Sequence, residues 1–461
     1  MKWIWVVLLS LIPRVLFAQT AAVNMLTVYQ SIDGFGASSA FGGLLPTSLV
    51  NEEFNTSTGL GLKFMRLNIV PDFTDCVAYY KTCISSSGAT LPTYDLTNAQ
   101  NAVGQGAVIW ATEWSPPGSM KSNGSYASGG SFIGNATNYS ALATIQASFV
   151  TLMTGTYGIP IYAISVQNEP NVSTAYPSCI MTSSQFLAYV PYLSAALAAA
   201  GYPNTKIMIA EPGHWNYDYM SKTMTAPAGA EVGIIAAHAY TGGSPPNTPA
   251  HLPTEFGYSS YVTTRHIWQT EVSDTHHAYD PSMVSGLIYA LDIHNWLTIS
   301  QVNAWHYWEL SGQGYGDNQG LTDQRNVLAK RAYVMGQWAR FVTGMSEVAA
   351  TASPQSGVYV TAFLNLSTGA GAIVAINTNS MAVSQAFTIS GRQGASSYNV
   401  TPYLTDPYNS ISQQSALKVS GNSFTANLTA SSVTTFVLPS VAPGSANSIL
   451  SRENIGNGQL K

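Results

Sequence analysis

The chain has 461 residues, of which 46% are hydrophobic and only 8% charged, with a net charge of -5 and a pI near 5.9. That length fits one large domain with an appendage, or two or three domains. The acidic balance argues against nucleic acid or an anionic membrane as partner, and the scarcity of charge makes each carboxylate in an apolar setting informative.

Met1–Ala18 reads MKWIWVVLLSLIPRVLFA. A basic Lys2, an apolar run from Trp3 to Ile12 and a small Ala18 make a secretory signal with cleavage after Ala18, although Arg14 departs from the pattern. The rival reading is a membrane anchor, but the run is too short to span comfortably. The expectation is a secreted monomer without membrane contact after cleavage. Gln19–Gln30 carries a strand pattern, expected to join the C-terminal part of the chain. Ser31–Gly43 then packs glycines around Asp33, Phe35 and Phe41; it lacks the flanking helix and lysine of a phosphate loop.

From residue 31 to residue 343, strand-like runs alternate with helix-like ones. The strand candidates are the Ile32 region, Phe64–Ile69, Ala107–Trp114, Ile161–Asn168, Lys206–Glu211, Ile234–Tyr240, His266–Glu271 and Val302–Trp308. The clearest helical patterns are Ser140–Met153, Ser183–Ala200, Pro281–Thr298 and Leu328–Thr343, with Ser183 and Ser184 as candidate N-caps. Strict alternation implies parallel strands, and about eight units predict a closed (β/α)8 TIM barrel of the α/β class. Cys76 and Cys83 sit close together in a loop-like segment, so a local disulfide is one pairing; Cys179 with either of them is another. The odd count leaves one thiol free, and no partner at nucleophile or metal spacing makes it catalytic.

After residue 344 the pattern changes to short strands separated by Ser, Gly and Asn: Val358–Leu364, Ala372–Asn377, Ser384–Ile389, Ser397–Tyr403, Ala416–Val419 and Val433–Leu438. That is a β-sandwich side domain over 344–440. Residues 441–461 read as a loose polar tail.

Chemistry concentrates at two strand ends. Ile161–Asn171 (IYAISVQNEPN) is an apolar run that stops at Asn168, Glu169 and Pro170. Arg265–Asp274 (RHIWQTEVSD) stops similarly at Glu271. A parallel barrel brings such ends to one rim. Two carboxyl groups on opposite sides of one glycosidic bond support retaining hydrolysis, one as proton donor and one as nucleophile. Glu169 fits the first role and Glu271 the second, with Arg66 placed to keep it ionised. Asn168 suits a sugar hydroxyl. Trp114 and Trp308 end strands where a ring can floor a sugar, with barrel core as the competing reading. His238 and Tyr240 share a strand face, and Tyr240 is placed to hydrogen-bond Glu271. Glu113, Glu211 and Glu309 also stand near strand ends, so position alone does not select the pair. His276 and His277 read as loop surface.

Taken together, DGFGAS, MRLNI, WSPPGSMK, SVQNEP, AHAY, IWQTE and HYWEL resemble glycoside hydrolase family 30, in that family's order from Ile32 to about Leu310. The resemblance implies a barrel fused to a β-sandwich, retaining chemistry and no metal or cofactor. It implies Glu169 as acid/base and Glu271 as nucleophile. Asn168, Arg66, Trp114, His238, Tyr240 and Trp308 are implied to line the sugar site. The partner is then a polysaccharide or oligosaccharide. The FGASSAFGG and WSPPGSMK stretches look closest to the xylan-cleaving branches, which makes an endo-1,4-β-xylanase acting on xylan or glucuronoxylan the expectation. A β-1,6-glucanase or β-1,6-galactanase is the alternative within the fold, and a noncatalytic carbohydrate-binding relative the alternative outside it. Family members that require a glucuronate branch clamp it with an arginine above the barrel. Ser311–Gln319 holds no arginine, and Arg325 is a weak candidate.

Overall fold

The computed structural model describes residues 19–86, 88–215, 217–240, 265–350, 355–392 and 397–441. The signal segment and nearly all of the proposed tail lie outside these residues. Eight parallel strands close into a barrel: Gly34–Ser38, Phe64–Ile69, Val108–Glu113, Ile161–Ser165, Lys206–Ala210, Val232–His238, His266–Glu271 and Ala304–Glu309. They pair in chain order, and the eighth pairs with the first in register Ala304↔Gly34 and Trp305↔Phe35. The outer faces of these strands meet helices, among them Ala136–Val150, Ser183–Ala199, Met283–Thr298 and Lys330–Val342.

The barrel interior is filled with side chains. Phe64, Trp110, Ala163, Met208, Ile234, Ala236, Trp268 and Ala304 form one inward cluster near its N-terminal end. Two indoles there demand small neighbours elsewhere. Gly36 is such a neighbour: a Cβ at this position would lie 2.4 Å from the Phe64 carbonyl oxygen and 2.7 Å from the His306 ring. The glycine of DGFGAS therefore serves close strand approach, since an added methyl has nowhere to go in a packed core.

The helix after the fourth strand starts at Ser183, where the sequence placed it, but its cap differs. Thr182, rather than Ser183 or Ser184, is the N-cap: its side chain accepts from Gln185 N while the Gln185 side chain accepts from Thr182 N. This reciprocal pair satisfies two donors that neither serine reaches.

Downstream, ten strands form one mixed sheet. Ser397–Thr405 also pairs with Ser432–Leu438, which closes nine of the strands into a ring around a single core. Thr20–Ser31 enters this sheet, parallel to Val383–Ser390 and antiparallel to Ser346–Ala350. Ser346–Ala350 and Ser423–Leu428 are strands that the hydrophobic pattern did not reveal. Ser423–Leu428 alternates strictly between exposed and buried residues, but its buried set includes a small Ala426. The side domain packs on the last two barrel helices. Gln337 Nε2 donates to Thr405 Oγ1 (2.8 Å), Trp338 Nε1 to Thr361 Oγ1 (3.2 Å), and Gln30 Nε2 to the Leu297 carbonyl (2.9 Å). Phe363, Val374, Ile376 and Val433 belong to the same apolar cluster as the barrel helices, so the two parts share a core. Cys76 and Cys83 form a disulfide, and Cys179 is free and buried.

Replacing Gly36 by alanine is expected to cost about 3 kcal/mol, the upper range for overpacking a core. A lowered urea midpoint, with the Gly42→Ala protein as a loop control, checks this.

Candidate active site

The C-terminal ends of the second to seventh strands converge around Arg66. Its side chain is 1% exposed. Removing a guanidinium from water costs several kcal/mol. Stacking over Trp114, with Cζ 4.4 Å from the ring centroid, returns only about 2 kcal/mol when desolvated. Ion pairs must supply the rest. Nη1 contacts Glu271 Oε2, and Nη2 lies 3.3 Å from Glu211 Oε1. Nη2 also donates to Asn168 Oδ1 at 2.6 Å, and Nε to Thr112 Oγ1 at 3.3 Å. Thr112 Oγ1 in turn donates to Glu211 Oε2 at 2.7 Å.

Backbone irregularities aim the carboxylates. Glu169 follows the fourth strand with φ +43°, and Glu211 follows the fifth with φ +51°. Each precedes a proline, Pro170 and Pro212, so neither strand can continue its ladder. Glu169 N donates to the Glu211 carbonyl at 2.9 Å, tying the two ends together. Glu271 is reached differently. On the seventh strand Trp268 faces inward, so strict alternation would turn Thr270 inward and Glu271 outward. The pairing shifts between Gln269↔Ala237 and Glu271↔His238, leaving Thr270 as the extra residue of a bulge. The bulge returns Glu271 to the interior opposite His238.

His238 links all three carboxylates. Nδ1 is 3.1 Å from Glu169 Oε1, and Nε2 is 3.5 Å from Glu211 Oε1 and 3.4 Å from Glu271 Oε2. An oxygen of Glu169 and one of Glu271 lie within 4.8 Å of each other and of a His238 nitrogen. Tyr240 Oη donates to Glu271 Oε1 at 3.0 Å, and Ser273 Oγ lies 3.2 Å from the same hydroxyl. Tyr176 Oη donates to Glu169 Oε2 at 3.3 Å.

Two buried histidines show how charge decides protonation here. Burial alone lowers an imidazole, and it pushes His306, inside the barrel, down to about 4. Burial acts equally on His238, but Glu271, Glu169 and Glu211 outweigh it and hold His238 at about 9. For Glu211, burial is outweighed by Arg66 and His238, which bring it down to about 2. Burial pushes Glu271 upward, opposed by His238 and Arg66 and aided by repulsion from Glu169. The site thus contains two cations, Arg66 and His238, among three carboxyl groups.

Trp114 and Trp308 pack with their ring centroids 5.9 Å apart. Trp114 is 2% exposed, covered by Arg66 and by the Phe41 edge, so its ring walls in the guanidinium; Trp308, at 8%, keeps slightly more open surface. The eight residues singled out in the sequence all belong to this cluster or its wall. Thr112, Ser273 and Tyr176 join them unannounced, and so does Glu211, which the sequence offered only as one of several strand-end carboxylates. Glu211 had a second signal: it precedes Pro212 as Glu169 precedes Pro170. Thr112 and Ser273 had none. Glu113 turns away instead, meeting Gln146 Nε2 at 2.6 Å.

The chain resembles the solved family 30 subfamily 8 xylanase Xyn30A of Clostridium acetobutylicum, with 31% identity, a TM-score of 0.75 and coverage of 91% of this chain and 100% of that one. The chain belongs to glycoside hydrolase family 30. A GH30 endoxylanase of Clostridium papyrosolvens C71 gives 29% identity and a TM-score of 0.73, over 91% of this chain and 100% of that one. Glucuronoxylanase XynC of Bacillus subtilis (strain 168) is 29% identical over 438 residues, 92% of this chain and 93% of its own. No family model matches the chain. Within family 30 the chain falls on the xylanase side, and it is a glycosidase.

Because its folded pKa is raised above about 6.5, His238 stabilises the fold fully below that pH, and the contribution is lost as pH rises through about 9. The stability gap between the wild-type protein and His238→Gln should therefore be widest below pH 6.5 and narrow above it. Denaturant midpoints across pH check this, and 15N NMR should show the imidazolium at pH 7.5. Arg66→Met should cost about 3–5 kcal/mol, because it strands buried carboxylates.

Proposed function

We propose that the chain is a secreted, retaining endo-1,4-β-xylanase, with Glu169 as acid/base and Glu271 as nucleophile. The observation that carries the mechanism is the Glu169–Glu271 oxygen approach of 4.8 Å or less. Retaining sites hold the two carboxyl groups about 5–5.5 Å apart, whereas inverting sites need about 6.5–9.5 Å to admit a water.

Contacts divide the roles. Glu271 meets Arg66, which opposes the upward push of burial on its carboxyl, and it accepts from Tyr240, where attack requires a carboxylate. Glu169 makes no contact with Arg66; His238 and Tyr176 hold it instead. In the first step a Glu271 oxygen bonds to the anomeric carbon as the glycosidic C–O bond breaks. The Glu169 proton passes to the departing oxygen. In the second step Glu169 takes a proton from water, whose oxygen displaces Glu271 from the anomeric carbon. Asn168, anchored by Arg66, is placed for the hydroxyl next to the anomeric carbon. Trp308 lines the cleft beside it.

The xylan reading rests on the kinship with xylanases and on the motifs. Independence from glucuronate rests on Arg66 being occupied by carboxylates and on the lack of an arginine in Ser311–Gln319; Arg325, in the loop after the eighth strand, lies 3.0 Å from Asp323 and is 84% exposed. Export rests on the apolar segment before Gln19.

Glu271→Gln should lose at least a thousandfold in kcat on xylan, and 1H NMR of early products should show retained β-configuration. Linear and glucuronate-branched xylo-oligosaccharides should be cleaved at comparable rates. Inversion of configuration would overturn the mechanism, a strict need for the branch would overturn the charge argument, and preference for pustulan would overturn the substrate.

A further inference from the structure

The loop after the third barrel strand ends its WSPPGSMK motif in a lysine that the chemistry above leaves unused. Lys121 is 3% exposed. Neutral oxygens hold its ammonium: Nζ donates to Ser115 Oγ at 2.9 Å, the Tyr126 carbonyl at 3.0 Å and the Ser178 carbonyl at 2.7 Å. Three donors meet three acceptors, which is what an ammonium requires to remain buried. Ser178 belongs to the loop after the fourth strand, so one buried charge clamps two loops together.

Backbone contacts reinforce the clamp. Ala127 bridges Pro177, Phe132 N donates to the Ile180 carbonyl at 2.9 Å, and Ile180 N donates to the Gly130 carbonyl at 2.8 Å. Ser178 Oγ folds its own segment: it accepts from Thr174 N at 3.2 Å and shares its one hydrogen between the carbonyls of Thr174 and Tyr176, both at 3.2 Å. The residue fixed by this knot is Tyr176. The residue is 46% exposed while its hydroxyl reaches Glu169.

We propose that Tyr176, held in place by the Lys121 clamp, is a positioning residue for Glu169 and forms the leaving-group side of the cleft. The inference rests on the retaining reading above. Glu169 offers Oε1 to His238 and Oε2 to Tyr176. The Glu169 proton goes to the departing oxygen, so the group that steers Glu169 from the open side borders the departing sugar. The oxygens of Glu271 are engaged by Tyr240 and Arg66 instead, and Tyr176 makes no hydrogen bond to either. The half-open Tyr176 ring can then lie against the leaving sugar, while its hydroxyl fixes the direction in which Glu169 gives and takes the proton.

The test compares a linear xylo-oligosaccharide with dinitrophenyl β-xylobioside, whose leaving group departs without a proton. For Tyr176→Phe, kcat on the oligosaccharide should fall about tenfold with KM within about twofold, the scale of one hydrogen bond to a charged group. Its kcat/KM on the dinitrophenyl substrate, which reports bond cleavage, should stay within about twofold. Tyr176→Ala should add a rise in KM only for oligosaccharides long enough to reach past the scissile bond. Lys121→Met should reproduce the dependence on leaving group; should it fail to fold, the two Tyr176 variants decide. Equal losses on both substrates, or none on either, would overturn the proposal. Glu169→Ala serves as the reference. If its kcat/KM falls alike on both substrates, Glu169 is not the donor and both readings fall. If it discriminates between them and Tyr176→Phe does not, the positioning role alone is wrong.

Discussion

A guanidinium without water is the constraint around which the rest of this molecule is arranged. Arg66 points into the barrel from the second strand, where solvation is lost and one stacked indole cannot replace it. Carboxylates must come to it, and a closed parallel barrel is the means of delivering them from distant parts of the chain. Glu211 arrives from the fifth strand and Glu271 from the seventh, while Asn168 arrives beside Glu169 from the fourth. Once two carboxylates surround one cation, the excess negative charge recruits a second cation. His238 is that cation, and the same burial that keeps His306 neutral is overcome there by three acidic neighbours.

The charge network gives Glu169 and Glu271 different partners. Glu271 shares in the Arg66 field and is steadied by Tyr240, whereas Glu169 lies at the network's edge, linked through His238 and Tyr176. Two carboxyl groups of the same residue type thus have different surroundings, and the proposed division of tasks rests on that difference. For the proposed chemistry rigidity matters, because the two carboxyl groups must hold their separation. The bulge at Thr270, the left-handed backbone at Glu169 and Glu211, and the clamp between the third and fourth loops all contribute to it. The side domain acts from farther away, by sharing an apolar core with the last two helices of the barrel.

The fold was legible because its signals are local. Apolar runs of strand length alternated with helical spacing, and eight such units leave few alternatives to a barrel. Legibility failed where burial was partial or residues were small. Ser346–Ala350 and Ser423–Leu428 carry too little hydrophobic contrast to announce themselves, and Thr182 caps its helix only through a partner three residues on. The candidate site was legible through short motifs at strand ends. What those motifs did not carry was selection among carboxylates: Glu113, Glu169, Glu211 and Glu271 all end strands, yet Glu113 turns to Gln146 while the others meet His238.

By itself the sequence determined the alternation of strands and helices, the change to a β-rich side domain and the presence of acidic residues at several strand termini. These are properties of neighbouring residues, and hydrophobic periodicity records them directly. Only the tertiary structure decided which acids share one cavity, that His238 carries a proton among them, that Trp114 is covered by Arg66, and that Lys121 ties Tyr176 to Glu169. Those outcomes depend on a one-residue bulge and on charges tens to hundreds of positions apart. Electrostatic energy falls off with distance in space, and separation along the chain does not report that distance.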